Sequence, residues 1–122
     1  MQKFFFDTYA LIEIAKQNPK YVQYKEGVKI LLNKLNIMEY AVFLNREGKS
    51  SETQKAFEVL SEFNIDYDDH ILLKAAEMKV KFNKEKLSFI DCIGYFIAKR
   101  EGVKFLTGDE KFKNKENVEF VK

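Results

Sequence analysis

Uninterrupted apolar runs alternate along this chain with longer segments in which apolar residues recur every three or four positions. The apolar runs predict buried strands at residues 3–6, 28–32, 103–106 and 118–121, and residues 64–67 form a weaker strand or a connector. These runs are mostly apolar instead of strictly alternating with polar residues. That character is typical of parallel strands that are covered on both faces.

Helical spacing of apolar residues fills the segments between the strands. It predicts helices over residues 9–16, 19–26, 33–46, 52–63, 69–82 and 88–101. Asp7 or Thr8 is placed to cap the first helix, and residues 51–54 fit a capping box. In the last helix, we expect an inner face made by Phe89, Ile93, Phe96 and Ile97.

Strands that alternate with helices imply right-handed crossovers and a parallel sheet. We therefore expect an α/β fold: a three-layer α/β/α sandwich around a mostly parallel sheet of four or five strands. A length of 122 residues is ordinary for one domain, and we expect residues 1–122 to form a single one.

Composition excludes several kinds of site. The single Cys92 cannot form an internal disulfide or a cysteine-based metal site, and it lies in an apolar run typical of a buried thiol. With one cysteine and one histidine, His70, zinc sites and Ser-His-Asp or Cys-His catalysis are poorly supported. The chain shows no signal peptide and no apolar run long enough for a membrane span, so we expect a cytoplasmic protein.

Charge gives a weaker indication. The net charge is only +2, which is not typical of a nucleic-acid binder, but residues 74–104 contain eight basic and four acidic side chains. A basic face of this kind would suit a polyanion. Simple solvation of helix surfaces by lysine explains the pattern equally well.

Four acidic residues lie where an α/β chain brings side chains together: Asp7, Glu39, Asp91 and Asp109. Loops that follow the carboxyl ends of parallel strands share one edge of the sheet, and ligands bind there. Four carboxylates at that edge would repel one another unless a cation neutralised them. Oxygen ligands favour Mg²⁺ or Mn²⁺, and the usual substrates of such sites are phosphate esters.

Each of these acids also has an ordinary structural interpretation. Asp7 is placed to cap a helix, and Glu39 is placed to be a solvated residue on a helix surface. Asp91 fits the first turn of a helix, where the helix dipole favours an acid, and Asp109 fits a turn that follows Gly108. Because single residues match motifs by chance, the coincidence of all four carries more weight than any one.

Three stretches resemble the PIN-domain nucleases. They are FFDTYALI at residues 5–12, DCIGYFIA at residues 91–98 and FLTGDEKF at residues 105–112, of which the last is the most specific. Glu39 matches the helix glutamate of that family, and Asn33 stands six residues earlier, where a serine is common. The resemblance covers almost the whole chain in the expected order.

The resemblance implies a catalytic site. According to this resemblance, the metal ligands are Asp7, Glu39, Asp91 and Asp109. Thr107 would support these ligands or contact phosphate, and Thr8 would orient the first loop. In size the chain is similar to VapC-type toxins, which are Mg²⁺-dependent endoribonucleases restrained by a small antitoxin. An RNA substrate, an antitoxin partner and a homodimer are implied in the same way. Residues 50–86 depart from the family pattern, so they leave the target RNA unspecified.

Three alternatives remain open from the sequence. In the first, the chain is a catalytically inactive PIN-like scaffold, although retention of all four acids argues against this. In the second, it is an RNA-processing nuclease that has no antitoxin. A phosphoacceptor receiver domain shares the length and the alternation of elements. That fold needs adjacent acids after its first strand, where Asp7 stands alone, and Asp66 lies in a poor middle strand.

Overall fold

Four parallel strands form a central sheet with helices on both faces in the computed structural model, which describes residues 1–122. The strands are β1 (Gln2–Phe6), β2 (Val28–Leu31), β3 (Lys104–Thr107) and β4 (Val118–Phe120), in the spatial order β2-β1-β3-β4. The α-helices are α1 (Thr8–Ala15), α2 (Lys34–Arg46), α3 (Thr53–Ser61), α4 (Asp69–Lys81) and α5 (Phe89–Arg100). The predicted three-layer α/β/α sandwich is confirmed.

The sheet has four strands because residues 64–67 add none. Asn64 makes only an isolated bridge with Leu32, and the chain then enters α4. The predicted helix after Asn18 is a 3₁₀ helix, Pro19–Tyr24, with proline at its first position. None of the helices combines the length and the apolar character needed to cross a membrane.

The core lies on both faces of the sheet, since successive side chains of a strand point in opposite directions. Phe5 and Phe105 pack towards α4 and α5, and their rings stack at a centroid distance of 6.0 Å. Phe4, Phe6 and Leu106 pack on the other face, towards α1, α2 and the 3₁₀ tyrosines. Burial on both faces explains why the strand sequences are mostly apolar.

Two local predictions were wrong. Residues 51–54 do not form a capping box: a short 3₁₀ turn precedes α3, and the Thr53 hydroxyl donates to the carbonyl of Ser50. Phe89 does not belong to the inner face of α5, because 62% of its surface is exposed. Leu87, just before the helix, is the buried residue of this segment.

Candidate active site

Asp7 lies at the carboxyl end of β1, beside the end of β3. The β1–β3 register pairs Phe6 with Leu106, and the amide of Asp7 donates to the carbonyl of Leu106 at 3.1 Å. Its carboxylate is buried and accepts two hydrogen bonds, one from the Thr107 hydroxyl and one, at 2.8 Å, from the amide of Ala10. Asp7 is therefore both the cap of α1 and the innermost acid of the sheet edge.

The turn after β3 holds Asp109. The amide of Asp109 donates to Oγ1 of Thr107 at 3.0 Å, and its carboxylate accepts from the amide of Lys111 at 3.0 Å. Gly108 lies between Thr107 and Asp109, and a Cβ atom added to it would lie 2.2 Å from the Tyr9 ring and 2.4 Å from the carbonyl oxygen of Val121. Only glycine fits there, so close packing on Tyr9 determines where the turn carries Asp109.

Glu39 reaches the same region from α2. The buried amide of Asn36 donates to the carbonyl of Phe6 at 2.9 Å, and its oxygen accepts from the amide of Asn33 at 2.7 Å. These bonds attach the start of α2 to the end of β1. One turn further along α2, Oε1 of Glu39 accepts a 2.6 Å hydrogen bond from the hydroxyl of Thr8.

Asp91 comes from the first turn of α5. Ser88 caps this helix by accepting a hydrogen bond from the amide of Asp91 at 3.0 Å. One turn later, a Cβ atom on Gly94 would lie 2.7 Å from the Phe5 ring. The glycine lets α5 lie close against the sheet, and this brings Asp91 near the ends of β1 and β3.

The electrostatics show that the four carboxylates are neighbours. Burial first, and then the charges of Asp91 and Asp109, raise the pKa of Asp7 well above its usual range, against hydrogen bonds from Thr107 and Ala10. Burial, followed by the charges of Glu39 and Asp109, raises the pKa of Asp91 to about 7. A hydrogen bond with Ser88 and the positive charge of Lys111 oppose this rise. None of the four forms an ion pair with a lysine or arginine.

The donor set fits a hard divalent cation in kind, although not as a preformed cage. All four side chains offer carboxylate oxygens, the ligands that Mg²⁺ and Mn²⁺ prefer, and their mutual repulsion favours a shared cation. No group of three or more His, Cys, Asp or Glu side chains is placed to hold a metal ion together. Asp7, Glu39, Asp91 and Asp109 thus stay predicted ligands that surround one region without converging on one point.

The structure adds one residue that the sequence analysis did not single out. Asn36 connects α2 to β1, and the only signal for it was an amide three residues after a capping asparagine, the spacing of a capping box. Three tyrosines of these helices differ in their exposure to solvent. Tyr95 is buried and its hydroxyl donates to the carbonyl of Glu116 at 2.7 Å, whereas Tyr9 and Tyr40 are half-buried.

In the structure, acidic side chains accompany the lysines of the basic segment at residues 74–104. A groove of about 950 Å³ lies between α4, α5 and the C-terminal loop, and five lysines line it: Lys74, Lys81, Lys99, Lys111 and Lys115. Four glutamates line the same groove, and three of them pair with Lys74, Lys99 and Lys115. This groove is therefore of mixed charge, which favours the solvation interpretation for that part of the segment.

Comparison with known proteins gives one family and a set of similar folds. The model of the PIN domain family matches residues 4–118. The structure is similar to that of a toxin–antitoxin complex from Klebsiella pneumoniae, with a TM-score of 0.72, 22% sequence identity and 94% of each chain covered. It is also similar to PAE2754 from Pyrobaculum aerophilum, with a TM-score of 0.69, 19% identity, and 98% of this chain and 90% of that chain covered. No curated protein sequence matches the chain significantly.

Proposed function

Since this chain belongs to the PIN domain family, we propose that it is a Mg²⁺- or Mn²⁺-dependent endoribonuclease that hydrolyses RNA phosphodiesters. The observation that supports this most strongly is the set of mutually repelling carboxylates at the carboxyl edge of the sheet, none of which forms an ion pair with a lysine or arginine. Family membership also overturns the receiver-domain alternative.

The carboxylates of Asp7, Glu39, Asp91 and Asp109 would hold the metal. A divalent cation bound there supplies Lewis-acid activation of water and stabilises negative charge on the phosphate. The chain itself need not provide a nucleophile, which agrees with its chemistry: burial raises the pKa of the Cys92 thiol to about 11, and His70 is exposed on α4.

The two threonines have positioning roles in this proposal. Thr107 donates to Asp7 and accepts from the amide of Asp109, so one hydroxyl fixes the spacing between two ligands. Thr8 restrains Glu39 through its 2.6 Å hydrogen bond. Partners that hydrogen-bond to ligands in this way orient them and tune their affinity for metal.

The biological setting is proposed by analogy. One similar structure is that of a toxin–antitoxin complex, which supports a small antitoxin as the partner of this chain. An RNA-cleaving toxin would act in the cytoplasm, where its RNA targets are, and a homodimer is proposed on the same grounds. Copurification with the coexpressed product of the adjacent reading frame distinguishes a toxin from an RNA-processing nuclease without an antitoxin.

The alternative function is a PIN-like binding scaffold without catalysis. The observation that favours it is the lack of three acidic side chains already placed around one point. Calorimetric titration with Mg²⁺ and Mn²⁺ separates the two functions. A scaffold with a degenerate site would bind neither ion, whereas the nuclease would bind at least one.

The direct test is cleavage of mixed structured and unstructured RNAs in Mg²⁺ or Mn²⁺, with EDTA as the metal-free arm. We expect cleavage to require metal and to disappear in Asp7→Asn and Asp109→Asn, with the far-ultraviolet circular dichroism unchanged. Asp69→Asn, which changes an exposed acid on α4, is the matched control and should keep full activity. Full activity of both site variants would overturn the mechanism.

A further inference from the structure

Phe89 is a large apolar side chain that stands in solvent beside the candidate active site. It is the first residue of α5, and 62% of its surface is exposed. Exposed apolar residues that occur singly need no explanation by themselves. Phe89 differs from the others because it precedes Asp91, one of the four acids, by two positions on the first turn of the same helix.

The Phe89 ring lies within reach of a substrate held at Asp91. Residues two apart on an α-helix differ by about 3 Å along the axis and by about 200° around it, and a helix with its side chains is roughly 10–12 Å wide. The ring and the carboxylate are therefore roughly 10 Å apart, across the start of α5. Neighbouring nucleotides of an unpaired strand can cover this distance.

The ring is restrained on one side and open on the other. The ammonium of Lys79 lies 4.9 Å from the centroid of the Phe89 ring and donates to the carbonyl of Leu87, which is a buried core residue. A cation over one face of an aromatic ring is attracted to it and restrains it. No other aromatic ring of the chain packs on Phe89. The ring is thus available to a stacking partner from outside.

The connection between α4 and α5 carries positive charge without acidic partners. Four lysines at or beside it form no ion pair: Lys79, Lys84, Lys86 and Lys111. Lys111 reaches the connection from the turn after β3, where its ammonium donates to the carbonyl of Lys86 at 3.3 Å. Glutamates pair with three lysines of the groove described above, so the connection has uncompensated charge that the groove mostly lacks.

An open aromatic ring among unpaired lysines is the arrangement that binds single-stranded nucleic acid. The lysines attract the phosphate backbone, and a base stacks on the ring. Bases inside a duplex are already stacked on one another, so an aromatic side chain binds the bases of single strands, loops and ends. The lysines around Phe89 favour this polyanion over a protein partner, which would need apolar or acidic groups facing the ring.

We propose that Phe89 is the stacking platform for an unpaired base next to the phosphodiester at the four acids, and that the substrate is therefore single-stranded RNA or a single-stranded loop. Lys86 and Lys111 would hold the phosphates on either side of that base. This inference rests on the proposed function, because it places the platform beside the metal ligands.

Binding of RNA in EDTA tests the platform without metal-dependent cleavage. The probes are an unstructured oligoribonucleotide of mixed sequence and the same strand annealed to its complement. We expect Phe89→Ala to raise the Kd for the single strand about 10-fold, as for the loss of one stacked base, and to leave the Kd for the duplex unchanged. Phe89→Leu keeps an apolar side chain without a ring and should bind like Phe89→Ala, whereas Phe89→Tyr should bind like wild type.

Val22→Ala is the matched control for exposure. Val22 is 65% exposed on the Pro19–Tyr24 helix, so its truncation also removes an apolar side chain from solvent. It should change the Kd for the single strand by no more than about twofold. In the cleavage assay, Phe89→Ala should raise KM for unstructured RNA and leave kcat nearly unchanged, because stacking contributes equally to the bound substrate and the transition state.

Tryptophan fluorescence gives a direct readout, because the chain contains no tryptophan. Phe89→Trp and Val22→Trp each introduce a single indole. A base that stacks on an indole quenches its emission, so the single strand should quench the fluorescence of Phe89→Trp and leave that of Val22→Trp unchanged. The duplex should quench neither.

Three outcomes would overturn the inference and leave the nuclease hypothesis intact: single-strand binding insensitive to Phe89→Ala, binding retained in Phe89→Leu, or equal quenching at residues 22 and 89. Normal RNA binding by Phe89→Ala together with loss of copurification with the coexpressed neighbouring protein would also overturn it, because the ring would then serve that protein. Wild-type protein that neither binds nor cleaves RNA would overturn the proposed function itself, and this outcome is seen before any variant is made.

Discussion

The hydroxyl of Thr8 donates a 2.6 Å hydrogen bond to Oε1 of Glu39, although the two residues are 31 positions apart in sequence. Thr8 directly follows Asp7, the cap of α1, so the turn that carries one acid also restrains another. Thr107 makes the corresponding connection between Asp7 and Asp109. Two short hydroxyl side chains thus link three of the four acids.

Removing the hydroxyl of residue 8 should weaken metal binding and activity without unfolding the protein. Thr8→Val keeps the shape of the side chain but releases Glu39, and we expect a loss of about 10–100-fold in metal affinity or cleavage rate. Thr8→Ser retains the donor and should stay near the wild-type value. Calorimetry with Mn²⁺ and single-turnover cleavage measure the two effects, and equal values for Val and Ser would show that the hydrogen bond is dispensable.

The hydroxyl of Thr107 should matter for stability as well. It is buried and connects Asp7 to the amide of Asp109, so Thr107→Val removes a partner from the buried Asp7 carboxylate and from the partly buried amide of Asp109. We expect the free energy of unfolding to fall by about 1–3 kcal/mol for each group left unsatisfied. Urea unfolding measures this, with Thr107→Ser as the control that keeps both bonds. A Val variant as stable as the Ser variant would contradict the assignment.

The metal-free protein should lose stability as the pH rises. Folding raises the pKa of Asp91 from 3.8 to about 7 and also raises that of Asp7, so the folded state binds these protons more tightly than the unfolded state does. Their stabilising contribution is complete below about pH 4 and is lost as the pH rises through the raised pKa values. Each tenfold difference in proton affinity corresponds to about 1.4 kcal/mol.

Urea unfolding in EDTA between about pH 4 and about pH 8 measures this dependence, because these limits bracket the unfolded-state and folded-state pKa values of Asp91. Asp91→Asn should become more stable relative to wild type as the pH rises, whereas Asp69→Asn should follow wild type. Adding Mn²⁺ at the upper pH should restore stability, because an ion that binds only the folded state stabilises it. A wild-type profile parallel to that of Asp91→Asn would refute the raised pKa.

The turn at Gly108 should tolerate no side chain. In Gly108→Ala, the new methyl group would collide with the Tyr9 ring and with the backbone at Val121, and we expect a loss of roughly 1–3 kcal/mol from overpacking. Gly48→Ala is the comparison, because φ is +73° there but no atom lies within 4 Å of the added carbon. Its cost should be limited to about 1 kcal/mol of backbone strain. Thermal unfolding of both variants ranks them, and an undisturbed Gly108→Ala would mean that the turn can move.

The sequence predicted the elements better than their contacts. Strand and helix positions follow from runs and spacing of apolar residues, which are local properties, and the order of elements restricts the chain to a parallel sheet. The misplaced Phe89 shows the limit of this approach. Helical spacing alone placed it on the inner face, whereas the direction in which α5 lies on the sheet leaves it in solvent.

The same distinction between local patterns and long-range contacts applies to the candidate site. The types and order of Asp7, Glu39, Asp91 and Asp109 were visible in the sequence because each one follows a strand or lies in an apolar helix. The bonds from Thr8 and Thr107, and the attachment of α2 by Asn36, join residues from 30 to 100 positions apart. No local pattern encodes such partners.

The sequence by itself determined the α/β class, the parallel sheet and the acids available at its carboxyl edge, since these depend on periodicity and on residue chemistry. Only the tertiary structure decided how closely the acids approach, which of them are buried enough to have raised pKa values, and which hydroxyl restrains each one. It also decided that the ring of Phe89 faces outwards. Burial and long-range hydrogen bonds arise when elements pack against one another, and packing joins residues that the chain keeps far apart.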